Sequence, residues 1–201
     1  GTLGRLARAR HLYVLHISTD FVFDGTLDRP YRETDPPRPL SVYGETKLAG
    51  ERELAASGCR HAIVRVQWTY GHAGRNFVTK FLERAETSDR LMMVTDQIGA
   101  PTWTRDVASA LLDLLGQRAQ GLYHYAADSY ATRFDVAQAI LEETGLAGKT
   151  LAPCRTADFP AAAARPLNSR FDCTQIDRCL HRARPHWRES LAAFIRTELA
   201  P

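Results

Sequence analysis

The chain has 201 residues, 44% of them hydrophobic and 24% charged, the proportions of an ordinary globular domain rather than of a disordered or fibrous one. Its net charge of +3 comes from 26 basic and 23 acidic side chains. That excess is too small to point to nucleic acid, and no Lys/Arg block dominates. No apolar run approaches the roughly 18 residues of a membrane span, so the sequence predicts neither a membrane segment nor a membrane partner.

In chain order, Gly1 to Arg10 reads as the end of a helix, with Leu3, Leu6 and Ala7 on one side. His11 to Ser18 (HLYVLHIS) is a short apolar run rich in β-formers and predicts a buried strand of the parallel type. It ends in Ser18-Thr19-Asp20, and the triplet Phe21-Val22-Phe23 leads to a turn at Asp24-Gly25. Thr26 to Leu40 holds Pro30, Pro36, Pro37 and Pro39 and must be a loop, of a length often tied to function. Ser41 is a plausible N-cap for a helix over Val42 to Ser57, closed by Gly58.

His61 to Tyr70 predicts a second strand, Asn76 to Glu86 a helix, and Leu91 to Val94 a short strand. Gln97 to Thr104 (QIGAPTWT) reads as a turn-rich loop. A helix is expected over Asp106 to Leu115, a strand over Leu122 to Ala126, and a helix over Thr132 to Thr144 ended by Gly145. Leu151 to Ser169 is Pro/Ala-rich and reads as irregular, with short helices over Thr174 to Leu180 and Trp187 to Leu199. Strands alternating with helices define an α/β class with a parallel sheet. A cofactor-side layer is expected over residues 1–94. A smaller substrate-side lobe is expected over 95–201, interleaved with it.

Cys59, Cys154, Cys173 and Cys179 form no CxxC pair, and the seven histidines show no metal spacing. Reduced thiols and a cytoplasmic setting are the expectations; no residue is singled out as a metal ligand, and a divalent ion as cofactor stays open.

Two constellations carry chemistry. Ligands of open α/β sheets bind beyond the carboxyl ends of strands, and Ser18-Thr19-Asp20 stands at such an end. Tyr43 and Lys47 share a helix face at i and i+4. An ammonium there favours the phenolate, so the tyrosine can hand its proton to a substrate oxygen. Taken singly, each has an ordinary structural reading: a satisfied strand-end turn, and a surface tyrosine over a lysine stem.

Taken together, HISTDFVFDG and ETDPPRPLSVYGETKLAGE resemble the extended short-chain dehydrogenase/reductases, and within them the dTDP-4-dehydrorhamnose reductase family. RVQWTYG, NFVTKFL, DQIGAPTWTRDVA, GLYHYA and ARPLNSRFD follow in that family's order, over about Leu3 to Leu199. The resemblance implies a Rossmann-like fold that reduces a sugar-nucleotide ketone with NADPH, or NADH, as hydride donor. It implies Tyr43 as proton donor, and Lys47 as the group that tunes it and binds the nicotinamide ribose. Thr19 would hydrogen-bond the substrate oxygen or the tyrosine, with Ser18 beside it. Trp68 would lie against the sugar or nicotinamide. Asp20, Asn76, Gln97, Ala100 and Thr102 would fall on the substrate side, the last three in a loop with Gly99 and Pro101. Arg165, Asn168 and Arg170, around Ser169, offer guanidinium forks for a diphosphate.

Phe21, Gln67 and Arg133 depart from the family, which more often has Tyr, Ser and an aromatic there. Asp20 beside Thr19 keeps a dehydratase or epimerase reading open. A separate alternative is a non-catalytic regulatory relative that keeps the fold and binds NADP to a partner enzyme, as the regulatory subunit of methionine adenosyltransferase does. No Gly-rich dinucleotide turn occurs, since Gly1 and Gly4 follow no strand. Such a turn is expected upstream with further strands, over about 80–110 residues at the size of βα units. Without those strands, His11 to Ser18 would present an apolar edge. Poor stability or a homodimer through that edge is expected of the isolated chain.

Overall fold

A computed structural model describes residues 1–146, 148–158 and 164–199. Helix α1 (Thr2–Ala9) leads into strand β1 (Tyr13–Thr19) and a 3-10 turn over Asp20–Val22. After the Pro-rich loop come α2 (Val42–Ala56), β2 (Arg60–Val66), β3 (Thr69–Tyr70), α3 (Phe77–Thr87) and β4 (Arg90–Val94). Then follow β5 (Ile98–Gly99), β6 (Thr102–Trp103), α4 (Thr104–Gln117), β7 (Gly121–Tyr125) and β8 (Ala131–Thr132). The chain ends with α5 (Arg133–Glu143), β9 (Thr150–Cys154), α6 (Thr174–Asp177) and α7 (Trp187–Phe194), the last continued by a π turn.

The main sheet is parallel throughout, in the order β1–β2–β7. Alternation along β2 sends Ala62 and Val64 toward Val107, Ala110 and Leu114 of α4. Ile63 turns the other way, toward Ala7 of α1 and Leu54 of α2. Helices therefore cover both faces, as an α/β fold requires. A second core gathers Val78, Phe81 and Leu91 with Val136, Ile140, Trp187 and Phe194, around the β4–β9 pair.

Four expectations need correction. The run His61 to Tyr70 is not one strand, because Trp68 adopts a left-handed backbone at φ 44° and turns the chain out of the main sheet, so that β3 pairs with β6 instead. The loop Gln97 to Thr104 holds two short strands, β5 and β6. The segment from Leu151 begins with β9, paired in parallel with β4 despite Pro153. Such an edge tolerates a proline, which lacks one ladder donor. Part of that segment, 159–163, lies outside the described residues. β1 itself is half-exposed rather than buried: Ile17 is 46% exposed, and among the described residues β1 pairs only with β2. The free edge of β7 is covered by side chains, with His124 N–H donating to Glu33 Oε1 and Leu122 O accepting from Gln175.

One buried ionic cluster ties these layers together. Arg65 on β2 is 3% exposed and donates to both carboxylate oxygens of Glu51 on α2, at 2.9 and 2.6 Å. Its next donor faces His124 Nε2 at 3.4 Å, while His124 Nδ1 lies 3.1 Å from Tyr31 O. Only a neutral imidazole with its proton on Nδ1 meets both partners. Burial, then the Arg65 charge, pushes His124 down to about 3. The unfolded imidazole titrates near 6.5, so the contribution of this residue to stability is complete above that pH and falls away as the pH drops toward 3.

Removing Glu51 leaves a buried guanidinium unpaired. Glu51→Ala is expected to cost about 3–5 kcal/mol in urea unfolding. A loss below about 1 kcal/mol would mean that Arg65 finds water and that the pair does not hold α2.

Candidate active site

The carboxyl ends of β1 and β2 open into a cavity of about 330 Å3 lined by Ser18, Thr19, Asp20, Phe21, Tyr43, Lys47, Trp68 and Arg133, with Ile17, Val66 and Thr69. Two residues before Tyr43, Ser41 caps α2 by accepting Gly44 N–H at 3.3 Å, as the sequence predicts. Gly44 is what lets this helix end reach the strand end. A Cβ there would stand 2.2 Å from Phe21 O and 2.9 Å from Pro39 Cβ. The close approach sets the Tyr43 ring edge-on to Phe21, with centroids 5.6 Å apart.

One turn further on, Lys47 Nζ donates to Ile17 O at 2.6 Å, which fixes the ammonium over the end of β1. Thr19 Oγ1 donates to Asp20 Oδ1 at 3.0 Å and accepts Phe21 N–H at 3.3 Å. Its proton is thus spent on Asp20, whereas the sequence expectation directs it to substrate or to the tyrosine. Ser18 Oγ and Asp20 Oδ2 are buried and have no partner among the described residues. Burial raises the Asp20 pKa, against the pull of the Ser169 and Thr19 hydroxyls and then of the Arg133 charge.

Trp68 forms the far wall. Its indole carries the Arg133 guanidinium at 3.5 Å from the ring centroid. A Cβ on Gly99 would meet Trp68 Cε2 and Gln67 Oε1 at 2.8 Å each, so glycine there lets the β5 backbone lie against the indole. Gln67 Oε1 accepts Ala100 N–H at 3.0 Å, which joins the loop after β5 to the end of β2.

The remaining residues expected to bind substrate, Arg165 apart, are engaged within the fold. Asn76 caps α3, accepting from Val78 and Thr79 N–H and donating to Gly71 O. Gln97 donates to Thr156 Oγ1, and Ala100 is fully buried. Thr102, also fully buried, donates to Ala100 O and accepts Ala127 N–H. Asn168 Nδ2 donates to Leu27 O and Arg29 O, and its Oδ1 accepts from Arg170. Arg170 also donates to Asp28 O. The ARPLNSR segment thereby staples the Pro-rich loop, helped by a Tyr31–Phe171 bridge. Arg165 is exposed, and its charge is felt at Arg133. The sequence singles out Arg133 only as a departure from its relatives. It does not reveal the position of Arg133 in the wall, or the close approach at Gly44.

A parallel α/β sheet with a tyrosine and a lysine one helical turn apart, beside a strand-end threonine, defines the class: the short-chain dehydrogenase/reductase type of fold and site. Within that class the chain belongs to the family described as the RmlD substrate-binding domain, whose model matches residues 1–199. It is 39% identical over 181 residues to the spore coat polysaccharide biosynthesis protein SpsK of Bacillus subtilis, covering 90% of this chain and 63% of that protein. The chain therefore spans less than two thirds of the length of that relative. It superimposes with a TM-score of 0.93 on a dTDP-4-dehydrorhamnose reductase from Clostridium acetobutylicum, at 34% identity, covering 98% of this chain and 70% of the other. The corresponding values for the Bacillus anthracis dTDP-4-dehydrorhamnose reductase in complex with NADP are 0.90, 30%, 96% and 69%.

Gly44→Ala is expected to lower stability by about 1–3 kcal/mol and to displace Tyr43. Thermal unfolding and near-ultraviolet dichroism read the two effects. A variant that matches the parent in both would show that Phe21 can yield and that the approach is not required.

Proposed function

We propose that this protein reduces the 4-keto group of dTDP-4-dehydro-L-rhamnose to dTDP-L-rhamnose with NADPH, in the supply of rhamnose for polysaccharide. The observation that carries this reading is the cavity itself, which brings Ser18, Thr19, Tyr43, Lys47 and Trp68 together at the strand ends. The NADP-bound relative and the reductases among the similar proteins support it. So does the residue set. An unpartnered buried hydroxyl at Ser18, a fixed ammonium at Lys47 and an indole wall fit a nicotinamide riboside, with Lys47 and Tyr43 toward the ribose. Bound there, NADPH would supply the hydride.

This chain's own residues do the rest. Tyr43 gives its proton to the oxygen on which negative charge develops. The Lys47 ammonium stabilises the phenolate left behind. Ser18 Oγ donates to the same substrate oxygen, and Thr19, whose proton goes to Asp20, orients the pocket through its lone pairs. Trp68 and Phe21 keep water from the reacting face. Residues 1–94 form mainly the cofactor side and 95–201 mainly the substrate side, the two interleaved. The cofactor and nucleotide sugar are metabolites of the cytoplasm, where the protein is placed on this reading.

A second reading has one observation in its favour. Asp20, in contact with Thr19 and with an unpartnered oxygen, is the acid that water elimination would need. Tyr43→Phe in the natural gene product is expected to lower kcat by about a hundredfold or more. A fall under about tenfold would remove Tyr43 as proton donor. Asp20→Asn serves as the discriminator: if the parent eliminates water and this variant does not, the plain reductase reading fails.

We also propose a homodimer. The half-exposed β1 edge supports self-association. Light scattering on the isolated 201-residue chain is expected to give a concentration-dependent mass above 22.5 kDa. A cooperatively unfolding monomer would contradict it.

A further inference from the structure

Arg133 holds an expensive position. It opens α5, where the helix dipole disfavours a cation, and its guanidinium carbon lies over two aromatic rings, 3.5 Å from the Trp68 centroid and 4.8 Å from that of Phe77. Burial lowers its pKa to about 9, which leaves it charged at neutral pH. Among the described residues its guanidinium has no ion pair and no hydrogen bond; only its backbone N–H is used, toward Gln97 O. Asp20 feels its charge, yet Asp20 Oδ2 also stays unpartnered.

A guanidinium 3.5 Å above an indole centroid lies flat on it, because an upright one would clash with the ring. The aromatic contacts then use the faces of the group and leave its in-plane N–H donors unspent. Those donors belong to a residue of the cavity wall, shared with Tyr43, Lys47 and Ser18. A partly buried fork of this kind is matched best by a charged oxygen acceptor, which can take two parallel hydrogen bonds.

We propose that Arg133 is a specificity-determining residue of this cavity, whose free N–H edge takes an anionic oxygen of the bound nucleotide sugar. The inference rests on the nucleotide-sugar reading above and adds to it the group that the wall selects. Two sources supply such an oxygen: the diphosphate, or a carboxylate on the sugar.

The test is calorimetric binding to the natural gene product and its R133M variant, with dTDP, UDP-glucose and UDP-glucuronic acid as probes. R133M keeps a side chain that packs on Trp68 and removes the fork. About tenfold weaker binding of all three probes identifies the diphosphate. The same loss confined to UDP-glucuronic acid identifies a sugar carboxylate. Either outcome supports the proposal, provided that NADPH affinity is unchanged. Affinities within about twofold of the parent for all three probes overturn it, as does an equal loss for NADPH. If R133M does not fold, R133K decides, since it keeps the charge without the fork. Weakening of about threefold or more on the same probes supports the proposal, and parent-like affinity overturns it. These affinities are read without turnover. A parent protein that binds the probes but reduces no 4-keto sugar would sink the proposed reaction and leave the role of Arg133 standing.

Discussion

The pairing of Glu51 with Arg65 is the contact on which the site depends. Two charges have left water to make it, and an apolar pair of the same volume is often no less stabilising. What the ionic version adds is register. Glu51 takes both guanidinium donors, Arg65 reaches His124, and His124 reaches the Tyr31 carbonyl. Helix α2 cannot slide or rotate on the sheet without stranding a charge. Tyr43 and Lys47 sit two turns and one turn upstream on the same arc of that helix, so the register of the ion pair is the register of the tyrosine.

The near end of the site is set by backbone approach. Gly44 brings the start of α2 against the Phe21 carbonyl, and Gly99 brings β5 against the Trp68 ring. Between them, the left-handed backbone at Trp68 turns an indole that a continuing β2 would place differently. A non-glycine residue in that region stores strain, typically of order 1 kcal/mol or more. Gln67 resists its release by holding the Ala100 N–H. Strand end, helix start and loop therefore constrain one another, and a change at any of the three moves the cavity wall.

Much of this frame can be read from the sequence. The apolar run before Ser18-Thr19-Asp20, the serine cap at Ser41, the Tyr43–Lys47 spacing and the glycine after α2 each act locally, and each appears where local chemistry places it. What escapes is decided by tertiary contacts. Strand β9 exists because β4 pairs with it, which outweighs the discouragement of Pro153. The break in β2 comes from one dihedral angle at Trp68. Asn76, Gln97, Thr102 and Asn168 illustrate a different limit. A family motif marks such residues as important, but a polar side chain near a pocket can serve a ligand or the backbone. Here their polar groups cap a helix, brace a loop and staple the Pro-rich segment.

The electrostatics of the cavity separate what the fold needs from what a reaction needs. Buried polar groups in folded proteins are nearly all paired, because an orphan forfeits its hydration without return. Among the described residues, six buried side-chain atoms have no hydrogen-bond partner: His16 Nε2, Ser18 Oγ, Asp20 Oδ2, Gln67 Nε2, Tyr70 OH and Asp113 Oδ2. Of these, Ser18 and Asp20 line the cavity at the end of β1, whereas the same sheet gives partners to Arg65 and His124 a few residues away. Ketone reduction places new negative charge on one oxygen, and donors already aimed at that point, stripped of water, need no reorganisation when the charge appears. On the proposed chemistry, the Ser18 hydroxyl and the Lys47 ammonium answer that charge at the reacting centre. The Arg133 fork, held on the Trp68 ring in the same wall, then stands apart from that charge and is left for an anionic oxygen elsewhere on the nucleotide sugar.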